Sequence, residues 1–254
     1  MAQDPSTRRS DTQLLRLIPN MVTIVAICAG LTSIRFSIAG EFAVAVYLIL
    51  LAVVLDGLDG RLARLLKAES PIGAELDSLA DFLNFGVAPG LMVFISTFDT
   101  NRSFGWFAVM VLAICSVLRL ARFNVDSRAA PAGTKARHFT GVPAPAGAFL
   151  VMVPIFHMHS CAAGDFCAGQ DIPNWAIALY MLFVGFLMIS RIPTPSPKSI
   201  SIPREKARFV YIALVILLWA LWTYFWQMLM GISVVYLVAV LISALRNLRR
   251  KTDG

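Results

Sequence analysis

The chain has 254 residues, of which 58% are hydrophobic and 15% are charged. A soluble domain usually carries about a quarter charged residues, so this composition argues against a soluble protein and indicates an integral membrane protein. The formal net charge of +7 is typical of basic loops at a membrane surface. Because basic and aromatic residues are not interleaved, we expect no nucleic acid partner.

Apolar runs long enough to cross a membrane, which takes about 20 residues, recur along the chain. Before the first run, the polar residues 1–14 are predicted to be mobile and not to form a cleavable signal peptide. The runs predict eight transmembrane helices, in chain order 18–37, 41–66, 72–97, 104–124, 143–159, 174–191, 209–227 and 230–247. We therefore predict an all-α polytopic fold.

The predicted helices divide into a six-helix membrane domain, residues 15–205, and a C-terminal transmembrane hairpin with a basic tail, residues 206–254. Pro89 is expected to kink the third helix. The proline-rich segment 191–206 is predicted to be a cytoplasmic linker. With both termini in the cytoplasm, only Arg35 and Arg102 of the 22 Lys and Arg residues lie outside. This orientation predicts that the second helix ends, and the third begins, at the cytoplasmic face of the cell membrane.

The four cysteines indicate no zinc site, because no paired Cys or His motif is present. Cys28 and Cys115 lie in apolar runs, where Cys usually packs. Cys161 and Cys167 share a loop that we place outside, where a disulfide can form.

Acidic residues gather where the second and third predicted helices face each other. Asp56 and Asp59 are three residues apart, and Asp77 and Asp81 are four apart, so each pair shares one helix face. Glu75 points elsewhere. Four facing carboxylates repel one another and are costly near a membrane, and divalent cations remove both penalties. Oxygen ligands without His or thiolate favour Mg²⁺, Mn²⁺ or Ca²⁺. The alternative is that the acids only cap helices, with Asp59 and Gly60 in a turn.

These residues form the pattern Asp56-x2-Asp59-Gly60-x2-Ala63-Arg64-x8-Gly73-x3-Asp77-x3-Asp81. At every position it resembles the signature of the CDP-alcohol phosphotransferase family. The resemblance implies a six-helix core, a cytoplasm-facing active site and a homodimer. It implies two Mg²⁺ or Mn²⁺ ions bound by Asp56, Asp59, Asp77 and Asp81, with Asp81 also acting as the general base. The implied residues for binding the donor CDP-diacylglycerol are Asn20, Thr23, Asp59, Gly60, Ala63, Arg64, Ser70 and Gly73.

Three further segments resemble the membrane-type phosphatidylserine synthase branch of that family: FGVAPG (85–90), RLARFN (119–124) and FTGVPAPAG (139–147). The expected acceptor is therefore L-serine, whose carboxylate suits Arg119 and Arg122, with Asn124 nearby. Lys135 or Arg137 can also contribute. The alternative for Arg119 and Arg122 is that they only anchor the helix at the positive side of the membrane.

Two other functions stay open at this point. The same chemistry with glycerol 3-phosphate or inositol phosphate would require a denser basic pocket. A divalent metal transporter would place its acids near the bilayer centre, not at a helix end.

Overall fold

The computed structural model describes residues 5–99, 102–129, 141–162, 172–190, 219–220 and 222–252. Within these ranges, the side chains described are those of residues 17–99, 102–126, 141–161, 172–190, 219–220 and 222–246. All regular structure in this part of the chain is helical. The helices are α1 (Pro5–Ile38), α2 (Phe42–Leu65), α3 (Pro71–Asp81), a π-helical segment (Phe82–Val87), α4 (Ala88–Thr97), α5 (Arg102–Ala129), α6 (Ala144–Val151), α7 (Val153–Ala162), α8 (Asn174–Ile189) and α9 (Phe225–Thr252).

The protein is a multi-pass membrane protein, as predicted. Five segments are long and apolar enough to cross a membrane: Leu17–Ile38, Phe42–Leu65, Pro71–Thr97, Arg102–Asp126 and Phe225–Arg246. Helices α6 and α7 form a sixth if their pair, bent by 41°, is one span. Helix α8 is apolar but shorter, with 16 residues.

Two predicted boundaries differ most from the structure. Helix α1 begins at Pro5, well before the predicted start at residue 18. The break expected between residues 227 and 230 is wrong, because α9 runs continuously from Phe225 to Thr252. Most of the predicted span 209–227 lies outside the described residues, so the count of eight stays a prediction.

Helices α1 and α2 form an antiparallel hairpin that places the second half of α2 beside the first half of α1. The turn after α2 is a Schellman motif, in which the Ala68 N–H donates to the Ala63 carbonyl over 2.9 Å. Lys67 occupies the left-handed position of this motif, with φ of 50°. Glycine is the usual residue at such a position, so the lysine in the sequence did not indicate the turn. Its reversal of the chain brings α3 back against α1.

The third span changes its winding directly after Asp81. The π-helical segment Phe82–Val87 precedes Pro89, which cannot donate a backbone hydrogen bond. The widened turn before the proline is the irregularity that the structure shows here, and the kink at Pro89 stays a prediction. Asn84, inside that turn, is buried against α1, where a Cβ on Gly30 would come within 1.9 Å of its Oδ1. Only glycine permits this close approach of the two helices.

The other helices pack around the contact between Asn84 and α1. Helix α5 packs along α8, and α9 packs against α7 and α6. Buried side chains such as Ile49, Leu112 and Met181 fill the space between the helices. Because lipid is as apolar as these side chains, the bundle depends on close packing and interhelical hydrogen bonds.

Candidate active site

Three carboxylates meet where α2 and α3 face each other. One oxygen from each of Asp56, Asp59 and Asp77 lies within 4.8 Å of the others. The i, i+3 spacing in α2 turns its two acids toward α3, as predicted. Asp59 and Gly60 both lie inside α2, so the suggested turn at this position is wrong. Glu75 is exposed.

Asp59 is held by the hairpin partner of α2. Thr23 of α1 donates a hydrogen bond from Oγ1 to Asp59 Oδ2 over 2.5 Å. The same hydroxyl lies 3.1 Å from the Pro19 carbonyl, one turn earlier in α1. Asp59 and Thr23 are both 4% exposed, so water does not compete for this contact. The interaction orients one carboxylate oxygen and leaves the other available to a ligand.

Asp81 lies one turn beyond Asp77 and contacts Asp56 through its side chain. It does not belong to the group whose ligand atoms lie within 4.8 Å. Its Oδ1 atom is buried without a hydrogen-bond partner. A buried, unpaired carboxylate oxygen is costly unless a ligand or a proton completes it. Asp81 therefore stands at the edge of the cluster, with one oxygen free to act on something that enters.

A cavity of about 360 Å³ opens beside the cluster. Its lining combines the motif with the start of α1 and the start of α3: Pro19, Asn20, Thr23, Asp59, Gly60, Ala63, Arg64, Ala68, Glu69, Ser70, Gly73, Ala74 and Asp77. All eight residues predicted to bind the donor are in this set. Pro19, Ala68, Glu69 and Ala74 were not predicted. They belong to no motif, and only the packing of α1 against the α2–α3 turn brings them here.

The N-terminus of α3 points into the cavity. Ser70 is its N-cap and accepts a hydrogen bond from the Gly73 N–H over 3.0 Å, with Pro71 in the first turn. Asn20 of α1 closes over this turn, because a Cβ on Gly73 would come within 2.8 Å of its Oδ1. The free N–H groups and the helix dipole at such an end favour anions such as phosphate.

Gly60 and Arg64 of α2 also line the cavity. A Cβ on Gly60 would come within 3.6 Å of Arg64 Nη1, so the missing side chain leaves the guanidinium unobstructed. Arg64 is exposed and contributes a positive charge at the cavity mouth. The cavity lining thus combines carboxylates with a helix N-terminus and an arginine.

The three residues predicted to bind serine are placed differently from one another. Arg119 of α5 interacts electrostatically with Asp81. Arg122 donates from Nη1 to the Ile189 carbonyl at the end of α8 over 2.8 Å. Asn124 donates to Ser78 Oγ of α3 over 3.0 Å. Arg119 thus interacts with the carboxylate cluster, while Arg122 and Asn124 connect α5 to its neighbours. Lys135 and Arg137 lie outside the described residues.

The cluster fits hard divalent cations. It offers carboxylate oxygens from two helices, with no His or Cys among them. The mutual repulsion of Asp56, Asp59 and Asp77, together with the unpaired oxygen of Asp81, is the pattern that a bound cation would relieve. Outside this site, Cys161 is disulfide-bonded and Cys28 and Cys115 are free thiols; Cys167 lies outside the described residues.

Comparison with known proteins gives consistent matches. A family profile described as CDP-alcohol phosphatidyltransferase matches residues 16–189. A Mycobacterium leprae protein named CDP-diacylglycerol–serine O-phosphatidyltransferase is 41% identical over 216 residues, which is 84% of this chain and 69% of that protein. A Mycobacterium tuberculosis protein of the same name is 39% identical over 195 residues, 76% of this chain and 66% of that protein. A Helicobacter pylori protein, also so named, is 34% identical over 73% of this chain and 75% of its own length. The matched segments thus span about two thirds of the mycobacterial relatives.

Proposed function

Because the chain belongs to the CDP-alcohol phosphatidyltransferase family, we propose that it transfers the phosphatidyl group of CDP-diacylglycerol to L-serine, giving phosphatidylserine and CMP. The observation that carries the proposal is the carboxylate cluster beside a cavity whose lining is suited to phosphate. The relatives with 34–41% identity that carry this activity in their names support the choice of donor and acceptor.

We expect the donor's nucleotide diphosphate to bind in the 360 Å³ cavity. Its phosphates are expected at the N-terminus of α3, where Ser70 and Gly73 lie, and beside Arg64. Thr23 and Asn20 close the cavity from α1. The diacylglycerol chains would extend sideways into lipid, as the exposed apolar side chains of Leu58 and Leu65 on α2 permit.

Asp81 supplies the general base in this scheme. Its unpaired oxygen accepts the proton of the serine hydroxyl. The serine oxygen then forms a bond to the diacylglycerol-bearing phosphorus, and the bond from that phosphorus to the bridging oxygen breaks. CMP leaves with the electron pair of the broken bond. The neighbouring helices hold donor and acceptor in line, which removes most of the entropic cost of the encounter.

Asp56, Asp59, Asp77 and Asp81 are the residues that would hold the two divalent cations, Mg²⁺ or Mn²⁺, of the proposal. When bound, such ions offset negative charge on the transferring phosphoryl group and on the leaving CMP. The chain's own part is to keep three carboxylate oxygens within 4.8 Å of one another and to fix Asp59 through Thr23.

Arg119 is the proposed contact for the serine carboxylate, because it interacts electrostatically with Asp81 and has buried N–H groups without hydrogen-bond partners. Arg122 and Asn124 stay predictions as acceptor residues. Their contacts with Ile189 and Ser78 position α5 beside the site, which is itself a requirement for Arg119 to reach it.

The proposal includes the cytoplasmic side of the cell membrane as the location of the site, and a homodimer as the assembly. Arg35 near the end of α1 and Arg102 at the start of α5 lie at the ends of their helices opposite to the cluster. This separation supports the orientation in which nearly all cations are cytoplasmic.

The test of the function is a panel of acceptors at matched detergent and lipid, with Mg²⁺ or Mn²⁺. We expect CMP release and phosphatidylserine formation with L-serine, and little CMP release with glycerol 3-phosphate or inositol phosphate. Release with glycerol 3-phosphate but not serine would reverse the acceptor assignment. Cation flux in proteoliposomes without CMP production would instead support a transporter.

Gly73→Ala is expected to raise the KM for CDP-diacylglycerol about five- to tenfold, which is the cost of displacing one polar contact. The added methyl group would lie 2.8 Å from Asn20 Oδ1 and 3.1 Å from Ser70 Oγ, so one of them must move. The serine KM should not change. Gly231→Ala is the matched control, because nothing lies within 4 Å of its Cβ position. Equal donor KM values for the two variants would remove Gly73 from the donor site.

A further inference from the structure

Tyr236 lies on α9, outside the region 16–189 that the family profile matches. Its ring is partly buried against the main core cluster. Its hydroxyl is fully buried and has no hydrogen-bond partner. An unpaired buried hydroxyl costs about 1–3 kcal/mol, so a tyrosine whose only role is packing would be replaced by phenylalanine without loss. The hydroxyl therefore points to a ligand.

Arg119 is the charged group that interacts with Tyr236. It interacts electrostatically with both Asp81 and Tyr236. Its Nε and Nη1 atoms are also buried without hydrogen-bond partners. An arginine in this state is costly, because its N–H groups have lost water and gained no acceptor. Unpaired donors on both side chains thus share one region between α5 and α9.

The unpaired donors of Arg119 and Tyr236 are complementary to the carboxylate of a small amino acid. The unpaired oxygen of Asp81 is complementary to the hydroxyl of that amino acid. A carboxylate accepts hydrogen bonds from arginine and tyrosine, and such charge-assisted bonds are about twice as strong as neutral ones. A hydroxyl donates to a carboxylate such as Asp81. No helix other than α9 supplies a tyrosine hydroxyl to this region among the residues that the structure describes.

We propose that Tyr236 and Arg119 together bind the carboxylate of the acceptor, so that α9 completes the acceptor site. This inference rests on the proposed function, and it adds that the last helix selects an acceptor with a carboxylate. The acceptor hydroxyl then points to Asp81, and the donor cavity, which neither Tyr236 nor Arg119 lines, is unaffected.

The test compares L-serine with serinol, which has a hydroxymethyl group in place of the carboxylate. Tyr236→Phe should raise the serine KM tenfold or more, the loss expected for one hydrogen bond to a charged group. Its KM for CDP-diacylglycerol should match that of the unchanged protein, and its kcat/KM for serinol should fall much less than its kcat/KM for serine. Arg119→Ala should raise the serine KM further, since it removes the charge.

Tyr180→Phe is the matched control. Tyr180 is also a largely buried tyrosine, but its hydroxyl donates to the Leu150 carbonyl over 2.7 Å, away from the carboxylates. We expect it to leave the preference for serine over serinol unchanged. The ratio of the two kcat/KM values is measured within one preparation, so partial loss of folded protein does not affect it.

An unchanged serine-to-serinol ratio in Tyr236→Phe would overturn the inference while leaving the proposed function intact. A parent protein that forms no phosphatidylserine, yet releases CMP with another alcohol, would overturn the proposed function instead.

Discussion

Asp81→Asn is expected to lower kcat for phosphatidylserine formation by about 10²–10⁴-fold, the usual contribution of a general base. The amide has nearly the same shape as the carboxylate but does not accept the serine proton. Asp81 contacts Asp56 and lies outside the group of three acids whose ligand atoms are within 4.8 Å. The KM for CDP-diacylglycerol should therefore change little. The measurement is steady-state CMP release in detergent with both substrates varied.

The control for this variant is Asp126→Asn. Asp126 is an exposed acid on α5, so its replacement removes a carboxylate without touching the cluster. We expect its kcat to equal that of the parent. A kcat for Asp81→Asn within a few-fold of the parent would show that another group takes the proton, and the mechanism would need a different base.

Removal of divalent cations is expected to abolish turnover completely, and Mg²⁺ or Mn²⁺ should restore it. Asp77→Asn is expected to weaken the binding of Mn²⁺ at least tenfold, because the variant removes one of three carboxylates within 4.8 Å of each other. Binding can be followed by the electron paramagnetic resonance signal of free Mn²⁺, without any measurement of activity. The same cations should raise the thermal unfolding midpoint of the parent, since binding stabilises the folded state.

The thermal shift on addition of Mn²⁺ should shrink in Asp77→Asn. Glu75→Gln is the matched control: Glu75 is on the same helix two residues away, but it is exposed and does not belong to the group of three acids. Its Mn²⁺ affinity should equal that of the parent. Full activity after exhaustive chelation would contradict the assignment of the cluster as a cation site, whatever the variants show.

Local spacing was sufficient to predict the centre of the site. The i, i+3 and i, i+4 intervals place Asp56 with Asp59 and Asp77 with Asp81 on single faces, since the geometry of a helix depends only on residue number. Apolar run lengths similarly predicted most of the helices, because the thickness of a membrane sets the length of a span. The donor residues Gly60, Ser70 and Gly73 followed from the motif, and the structure gathers them in one cavity.

Local spacing did not predict contacts that depend on how helices pack. Lys67 adopts a left-handed conformation that its residue type does not suggest. Arg119 and Arg122 share a helix face and were predicted to act together, yet Arg122 contacts the end of α8 while Arg119 interacts electrostatically with Asp81. The position of α8 decides this difference.

The sequence alone determined that the chain is a membrane protein with a clustered set of acids at two adjacent helix ends, because composition and helical periodicity are properties of short segments. Only the tertiary structure decided that Thr23 fixes Asp59 and that Tyr236 interacts electrostatically with Arg119. Those pairs are separated by 36 and more than 100 residues along the chain. Close packing of α1 on α2, and of α9 against the core, brings them together, and no local pattern encodes that packing.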